Sequence, residues 1–378
     1  MSANTDGFQV TGWVHKLGGW VERNPAFCIR LGDWESRILA DRIAEKPIER
    51  PVFIAGLARA GSTILLETLA AHPEVATHRY RDYPGIFTPY WWNWWLDRVP
   101  DQAQTPVERT HQDGIHVTGD SPEAFEEIIW SAFVRGLHDP RQDNRVLEAS
   151  QNPAFERFYR DHIRKLLAVR GCDRYVAKNN YNVTRLRYLH RLFPDARFVI
   201  PVRDPVWHVA SLIKQQKLFE QGQREHPKSR AHLARVRHYE FGLDRRPINT
   251  GDKTRPECVA RLWSEGREVD AWARYWALIN QHLVDALVDD ASLRQATLVV
   301  PFNALCQQPG AWLQRLLAHC ALSDDDAFVR TRAGNIKPPD YYAPGFNDRE
   351  LAVIDRETEQ VARKLDGLTD DADVHQSR

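Results

Sequence analysis

Residues 51–63 read Pro51-Val-Phe-Ile-Ala-Gly56-Leu-Ala-Arg59-Ala60-Gly61-Ser62-Thr63. The first five are a short apolar run with β-branched residues, bounded by Pro and Gly, which predicts a strand buried on both faces. A G-x-x-x-x-G turn follows. From Ser62 a helical pattern runs to Ala71 and ends before His72-Pro73. Glycines let a backbone bend around an anion, and the unpaired amides of the first helical turn point at it. Each such interaction with a helix end contributes about 0.3–1 kcal/mol. A nucleotide-hydrolysing loop carries Lys at the position of Ser62. Here the cation comes three residues earlier, at Arg59.

Working outward, three more runs read as buried strands: Arg174–Ala177, Arg197–Val202 and Thr297–Val300. Each is followed by a polar turn and a helical stretch. Strands alternating with helices imply an α/β fold with a parallel sheet flanked by helices. Ligands of such sheets sit at the carboxyl ends of the strands. That singles out Gly56–Thr63, Lys178–Asn180 and Arg203–Pro205.

The remainder reads as one continuous domain with additions, since no repeat, low-complexity tract or Gly/Ser linker interrupts it. Residues 1–50 are a helical N-terminal segment, with Trp13, Leu17 and Trp20, then Trp34, Ile38, Leu39 and Ile43, at helical spacing. Residues 80–170 are too long for a simple connection and are expected to form a helical insertion over the ligand end. The polar, basic stretch 220–256 is expected to be a mobile or partly ordered excursion. From about 347 a helix is expected to Leu365, then a frayed end.

The composition limits the function. Lys plus Arg and Asp plus Glu both number 51, so the net charge is zero. A protein held to nucleic acid or anionic lipid by bulk charge carries a basic excess. Zero excludes that class but not a local basic pocket. The five cysteines are scattered without a C-x-x-C pair, which reads as reduced thiols in a cytoplasmic protein. The polar residues Met1 to Thr11 lack a signal-peptide core, and no run approaches the roughly 20 apolar residues of a spanning helix. A soluble protein without a transmembrane anchor is expected. No helical His/Glu cluster or Asp-rich strand end suggests a metal.

A second anion element follows the strand Arg197–Val202: Arg203-Asp204-Pro205, with Ser211 eight residues beyond Arg203. The two groups can share one anion only if the helix entry turns the chain back. An Arg203–Asp204 capping pair is the other reading. Together the two elements resemble the sulfotransferases that use 3′-phosphoadenosine 5′-phosphosulfate (PAPS). The family's 5′-phosphosulfate loop runs Arg/Lys-Ser-Gly-Thr-Thr after a strand, similar to Arg59-Ala60-Gly61-Ser62-Thr63. Its 3′-phosphate element is similar to Arg203 through Ser211. HPEVAT (72–77), FPDARFVIPVRDP (193–205) and VVPFNALCQQP (299–309) echo it further, so the resemblance runs from about Ile48 to Leu365. It is nearest to the bacterial, carbohydrate and protein-tyrosine branches. Ala60, Ser62 and the pair Asn303-Ala304 depart from the pattern.

The resemblance implies PAPS as sulfate donor, no metal, and in-line transfer of a sulfuryl group to an acceptor hydroxyl. Arg59, Ala60, Gly61, Ser62 and Thr63 would hold the 5′-phosphosulfate, and Arg203 and Ser211 the 3′-phosphate. Arg59 would also act in catalysis, with Lys178 stabilising the leaving phosphate. For the base, Asp82 in Arg79-Tyr80-Arg81-Asp82-Tyr83 holds the matching place, with His111, Asp113, Glu126 and Glu127 as rivals. Tyr90, Trp91, Trp92, Trp94 and Trp95 form an aromatic patch that can stack on a sugar, or pack in part as core. Tyr90, Trp91, Trp94 and His111 are therefore the candidate acceptor residues, and a carbohydrate or glycolipid hydroxyl the expected acceptor. Trp272, Tyr275 and Trp276 read as core. Two rivals stay open: a P-loop kinase of a small molecule, and a non-catalytic binding protein on a decayed fold.

Overall fold

The computed structural model describes residues 5–99, 106–338 and 344–374, with side chains described to Thr369. The main sheet has five strands: β1 (Val52–Ile54), β2 (Val75–Ala76), β5 (Arg174–Lys178), β6 (Arg197–Val202) and β7 (Thr297–Pro301). Their spatial order is β2-β5-β1-β6-β7, and every pairing is parallel. The architecture is therefore a parallel sheet flanked by helices, as the alternation of strands and helices predicts. Ile54 pairs with Lys178 on one side and Val199 on the other. That register brings the loop after β1 level with the end of β5.

The helices up to the middle of the chain are α1 (Gly12–Arg23), α2 (Pro25–Ile38), α3 (Ala40–Ala44), α4 (Ser62–Ala70), α5 (Pro89–Leu96), α6 (Glu126–Phe133) and α7 (Pro153–Arg170). Then follow α8 (Leu186–Leu192), α9 (Pro205–Glu225), α10 (Pro227–Arg235), α11 (Thr254–Ser264) and α12 (Glu268–Val288). The strands are apolar in their interiors because both faces are covered. Val52 and Ile54 pack with Leu65, Leu66 and Leu69 of α4 and with the helix Pro309–Cys320. Phe53 and Ala55 face the opposite core, with Phe155 of α7, Val209 of α9 and Trp272 and Trp276 of α12. Complete burial of Val52, Phe53 and Ile54 contributes about 1.5–3 kcal/mol each.

Three regions differ in part from the sequence reading. The 80–170 stretch is a helical insertion, as expected, that also carries an antiparallel hairpin of β3 (Val107–Glu108) and β4 (His116–Val117), while its longest helix, α7, covers the sheet. The polar stretch 220–256 is pinned. Its Gly242 amide donates to Gln216 Oε1 at 2.9 Å, its Ile248 amide to the Tyr275 hydroxyl at 3.1 Å, and its Asn249 amide to Asn144 Oδ1 at 2.8 Å. Burial of Tyr239, Phe241 and Ile248 supplies what its polar composition concealed. The last helix spans Asp348–Val374, longer than its expected end at Leu365, and the final four residues lie outside those described. The N-terminal helices form as predicted, but Trp13, Trp20 and Trp34 on their periodic face are exposed.

Candidate active site

At the end of β1 the backbone turns sharply. Gly56 has φ +153°, Arg59 +73° and Gly61 +108°. Gly61 caps α4, and a Cβ there would sit 2.4 Å from Cδ2 of Phe302, so only glycine is accommodated. A buried relay fixes the loop from behind. The Trp276 indole N–H donates to Nδ1 of His208 at 3.0 Å, leaving the His208 Nε2–H to donate to the Ala58 carbonyl at 2.8 Å. Burial brings the His208 imidazole down to about 3, so it stays neutral and keeps this tautomer.

Arg203 and Ser211 both meet Arg59. The Arg203 guanidinium donates to the Arg59 carbonyl at 3.3 Å and lies 5.1 Å from the Phe302 ring centroid. Arg59 Nε donates to Ser211 Oγ at 3.3 Å. The helix entry thus does turn the chain back, as a shared anion site requires. Asp204 caps α9, accepting from the Trp207 amide at 3.1 Å, and leaves Arg203 directed to the loop.

These residues border a cavity of about 790 Å³. Arg59, Gly61, Ser62, Thr63, Lys178 and Arg203 line it; Ala60 and Ser211 are buried just behind its wall. Lys178 is lowered from its ordinary value by burial, against the opposing charges of Glu123 and Glu240. The tip of the β3–β4 hairpin closes the loop side. Asp113 pairs with Arg59 at 2.7 Å and accepts from Arg109 Nε at 2.8 Å, while Arg109 reaches Thr63 Oγ1 at 3.2 Å. Burial alone would raise the Asp113 carboxyl, but Arg109 and then Arg59 outweigh it and hold it far below the usual range. His111, also on the hairpin, is held well below its ordinary value by burial and by Arg109 and Arg59.

Several sequence candidates lie elsewhere. Asp82 is fully buried and does not line the cavity. It accepts from Arg170 at 2.6 Å, from the Arg79 amide at 3.0 Å, and faces His78 Nδ1 at 3.1 Å. Burial opposes its ionisation, yet His78 and Arg170 together keep the carboxyl well below the usual range. A carboxylate so enclosed has no path to a substrate proton. Tyr90, Trp91 and Trp94 are also displaced from the cavity. Their helix packs on α7, Tyr90 meets Arg42, and Trp91 packs edge-on against Trp34. Among the rival bases, Glu126 is sealed between Tyr159 and Tyr175. Glu127, by contrast, does line the cavity, but it is held by Arg185, Asn179 and His138; burial raises its carboxyl, but Arg185 and His138 bring it to about 2.

Residues that the sequence did not single out take the vacated places. Glu123 and Glu240 line the cavity beside Lys178, with Tyr80, Tyr83, Phe125 and Phe219 along one wall. The Glu123 amide donates to the His78 carbonyl at 2.9 Å, so the Asp82 network sets the backbone that carries it. Among the described residues no group of three or more His, Cys, Asp or Glu is arranged to hold a metal ion. No described helix is long and apolar enough to cross a membrane.

A family model described as the Sulfotransferase family matches residues 51–246, just over half of the chain. The chain belongs to this family. Among solved structures, sulfotransferase STF1 from Mycobacterium tuberculosis H37Rv is 18% identical with a TM-score of 0.51, over 96% of this chain and 89% of that one. Sulfotransferase STF9 from Mycobacterium avium is 16% identical with a TM-score of 0.44, over 85% and 80%. A sulfotransferase from Alicyclobacillus acidocaldarius is 14% identical with a TM-score of 0.39, over 85% and 96%. At these identities the likeness to STF1 concerns the fold. No curated protein matches the chain. The family's chemistry is sulfuryl transfer from PAPS, and it replaces the kinase reading.

Proposed function

We propose that this chain transfers a sulfuryl group from PAPS to an acceptor hydroxyl, with a carbohydrate or glycolipid as acceptor. The observation that carries the reading is the convergence of Arg203 and Ser211 on Arg59 at the strand ends. The donor set suits PAPS: Arg59, Arg109, Lys178 and Arg203 are cationic groups on one cavity. The protein's own Asp113 carboxylate already occupies two of them, so an anion is stabilised there. Arg grips phosphate and sulfate through its planar fork.

PAPS, when bound, supplies the activated sulfuryl group and a nucleotide leaving group. Arg59, the loop amides, Ser62 and Thr63 would hold its 5′ end, with Arg203 and Ser211 at the 3′-phosphate. Transfer through a loose transition state depends on positioning and electrostatics. Lys178, at the end of β5, would stabilise charge on the leaving oxygen. Glu123 replaces Asp82 as the proposed base: it lines the cavity beside Lys178 and enters no ion pair among the described residues. Asp82 becomes a positioning residue. The wall of Tyr80, Tyr83, Phe125 and Phe219 offers ring faces to a sugar, the role first expected of Tyr90, Trp91 and Trp94.

The test is a mass-spectrometric screen of hydroxyl acceptors with PAPS, scored by the gain of one sulfate. Arg203→Ala and Arg59→Gln should both abolish transfer and weaken 3′,5′-ADP binding. Normal turnover in either variant rejects the assignment. Nucleotide binding without transfer to any acceptor would favour the non-catalytic reading.

A further inference from the structure

The N-terminal helices carry a pattern that the cavity does not use. Trp13, Trp20, Phe27 and Trp34 are spaced seven apart, and three residues after each stands a cation: Lys16, Arg23, Arg30 and Arg37. Seven residues are close to two helical turns, so each series lies along one side of its helix, and a residue three further on is its neighbour. The chain bends at Asn24 between α1 and α2, yet the series stays in phase. The rings of Trp20 and Phe27 meet across the bend at 5.5 Å.

All four aromatic side chains face outward. Trp13 is 57% exposed, Trp20 42%, Phe27 45% and Trp34 53%. The patch continues through the Trp34–Trp91 contact at 5.1 Å to Trp94 and Trp95 on α5, where Arg98 lies 3.9 Å from the Trp94 ring centroid.

Charge is sorted across the two helices. Lys16, Arg23, Arg30 and Arg37 are exposed, and none enters an ion pair among the described residues. The three acids of α1 and α2 are each bound to cations from other elements. Glu22 pairs with Arg235 at 3.2 Å, Asp33 with Arg157 at 3.6 Å, and Glu35 with Lys165 at 2.9 Å. The outer face therefore presents aromatic rings and positive charge, although the whole chain has a net charge of zero.

We propose that this face docks on an anionic phospholipid surface. Indole rings settle at the headgroup level, where an apolar body and a polar edge are both accommodated. Helices with Trp and Phe beside Lys and Arg lie in that interface, and each cation near an anionic leaflet adds to the attraction. A second copy of the chain suits the face poorly, because an isologous contact would set one row of four cations against its twin.

The inward side of α1, opposite this face, lies against the cavity. Val14 of α1 lines the cavity, and Gly18 packs so closely on the cavity residue Tyr83 that a Cβ would fall 2.1 Å from its hydroxyl. A lipid-borne hydroxyl held at the membrane would meet the acceptor side of the site. That consequence rests on the transferase reading; the docking surface does not.

The experiment is co-sedimentation of the full chain with vesicles of phosphatidylcholine alone, and with phosphatidylglycerol added. The chain should sediment only with the second, and added salt should release it. Lys16→Gln/Arg23→Gln/Arg30→Gln/Arg37→Gln should bind about a thousandfold more weakly. Trp13→Ser/Trp20→Ser/Trp34→Ser should also lose binding, with the thermal midpoint of both variants unchanged. Three results would each overturn the proposal: no binding, equal binding to neutral vesicles, or parental binding by both variants. A solution dimer that shields these helices from hydrogen exchange would do so as well. Sedimentation is read without turnover, so failure here and failure of the transferase reading are separate outcomes.

Discussion

The Asp113 carboxylate stands 2.7 Å from the Arg59 guanidinium, joining the tip of the β3–β4 hairpin to the loop after β1. Both side chains are nearly buried, at 6% and 9% exposure. On the proposed reading, an incoming phosphosulfate must compete with this carboxylate for Arg59 and Arg109. Asp113→Asn should therefore have two opposite effects. The free protein should lose about 3 kcal/mol, since two buried guanidiniums lose their counter-charge. Affinity for 3′,5′-ADP should rise by about tenfold, equal to roughly 1.4 kcal/mol. Thermal unfolding with and without 3′,5′-ADP reads both, and an unchanged ligand-induced shift would refute the competition.

Lys178 should govern the alkaline limb of the reaction. Burial favours its neutral form, so it loses its proton below the ordinary lysine value of about 10.4. Turnover that needs the ammonium then falls with rising pH earlier than an exposed lysine would allow. Lys178→Met should lower kcat by at least about a hundredfold and change the KM for PAPS far less. A kcat–pH profile of the parent chain with no alkaline limb below that value would contradict this role.

Asp82→Asn should act on stability before chemistry. Removing the charge leaves Arg170 without its buried counter-ion and costs about 3 kcal/mol. The pH dependence has a definite sign. Asp82, Asp113 and Glu127 have folded values below their unfolded ones, Glu127 reaching about 2. Their contribution is complete above the unfolded carboxylate values of about 4 and is lost as pH falls through the folded ones. The thermal midpoint should drop steeply below about pH 4, and less steeply in Asp82→Asn. A variant with parental stability and no turnover would return Asp82 to the role of base.

Gly61→Ala should damage the donor loop selectively. At φ +108° an L-residue is strained by about 1–3 kcal/mol, and its Cβ would strike Phe302, the ring beneath Arg203. Binding of 3′,5′-ADP should weaken by at least about tenfold while circular dichroism keeps its parental form. Isothermal titration calorimetry decides it.

Glu123→Gln and Glu240→Gln separate the two carboxylates beside Lys178. The first should reduce kcat by about a hundredfold to ten-thousandfold, the range of general base catalysis, and keep 3′,5′-ADP affinity. Glu240 already accepts from Asn180 at 2.9 Å and meets His238 at 3.0 Å, so its variant should mainly loosen that wall. The reverse pattern would transfer the base to Glu240.

The sheet was legible because the interiors of its strands are buried on both faces and read as short apolar runs. The loop at Gly56–Thr63 was legible because glycine, cation and hydroxyls sit at fixed offsets along one segment. Asp82 misled because local sequence shows a carboxylate just after two arginines but not that it turns inward to Arg170, 88 residues away. Arg109 and Asp113 meet the loop, and Glu123 the cavity, only through tertiary folding of an irregular segment, which has no periodicity to read. The aromatic series was visible, but spacing alone does not say whether a helical stripe faces core or solvent. That depended on which side of α1 and α2 carries Gly18, Gly32 and Glu35, all buried.

The relay from Trp276 through His208 to Ala58, with Phe302 under Gly61, sets a boundary on what can be cut away. The family segment 51–246 contains Arg59, Lys178, Arg203 and Ser211, yet neither Trp276 nor Phe302. A fragment limited to it would keep each of those proposed donor-binding groups and lose the two aromatic side chains that hold them in shape. The C-terminal third of the chain is thus the mould of the proposed donor site, and exchanging it between relatives would recast the loop without altering one residue in it.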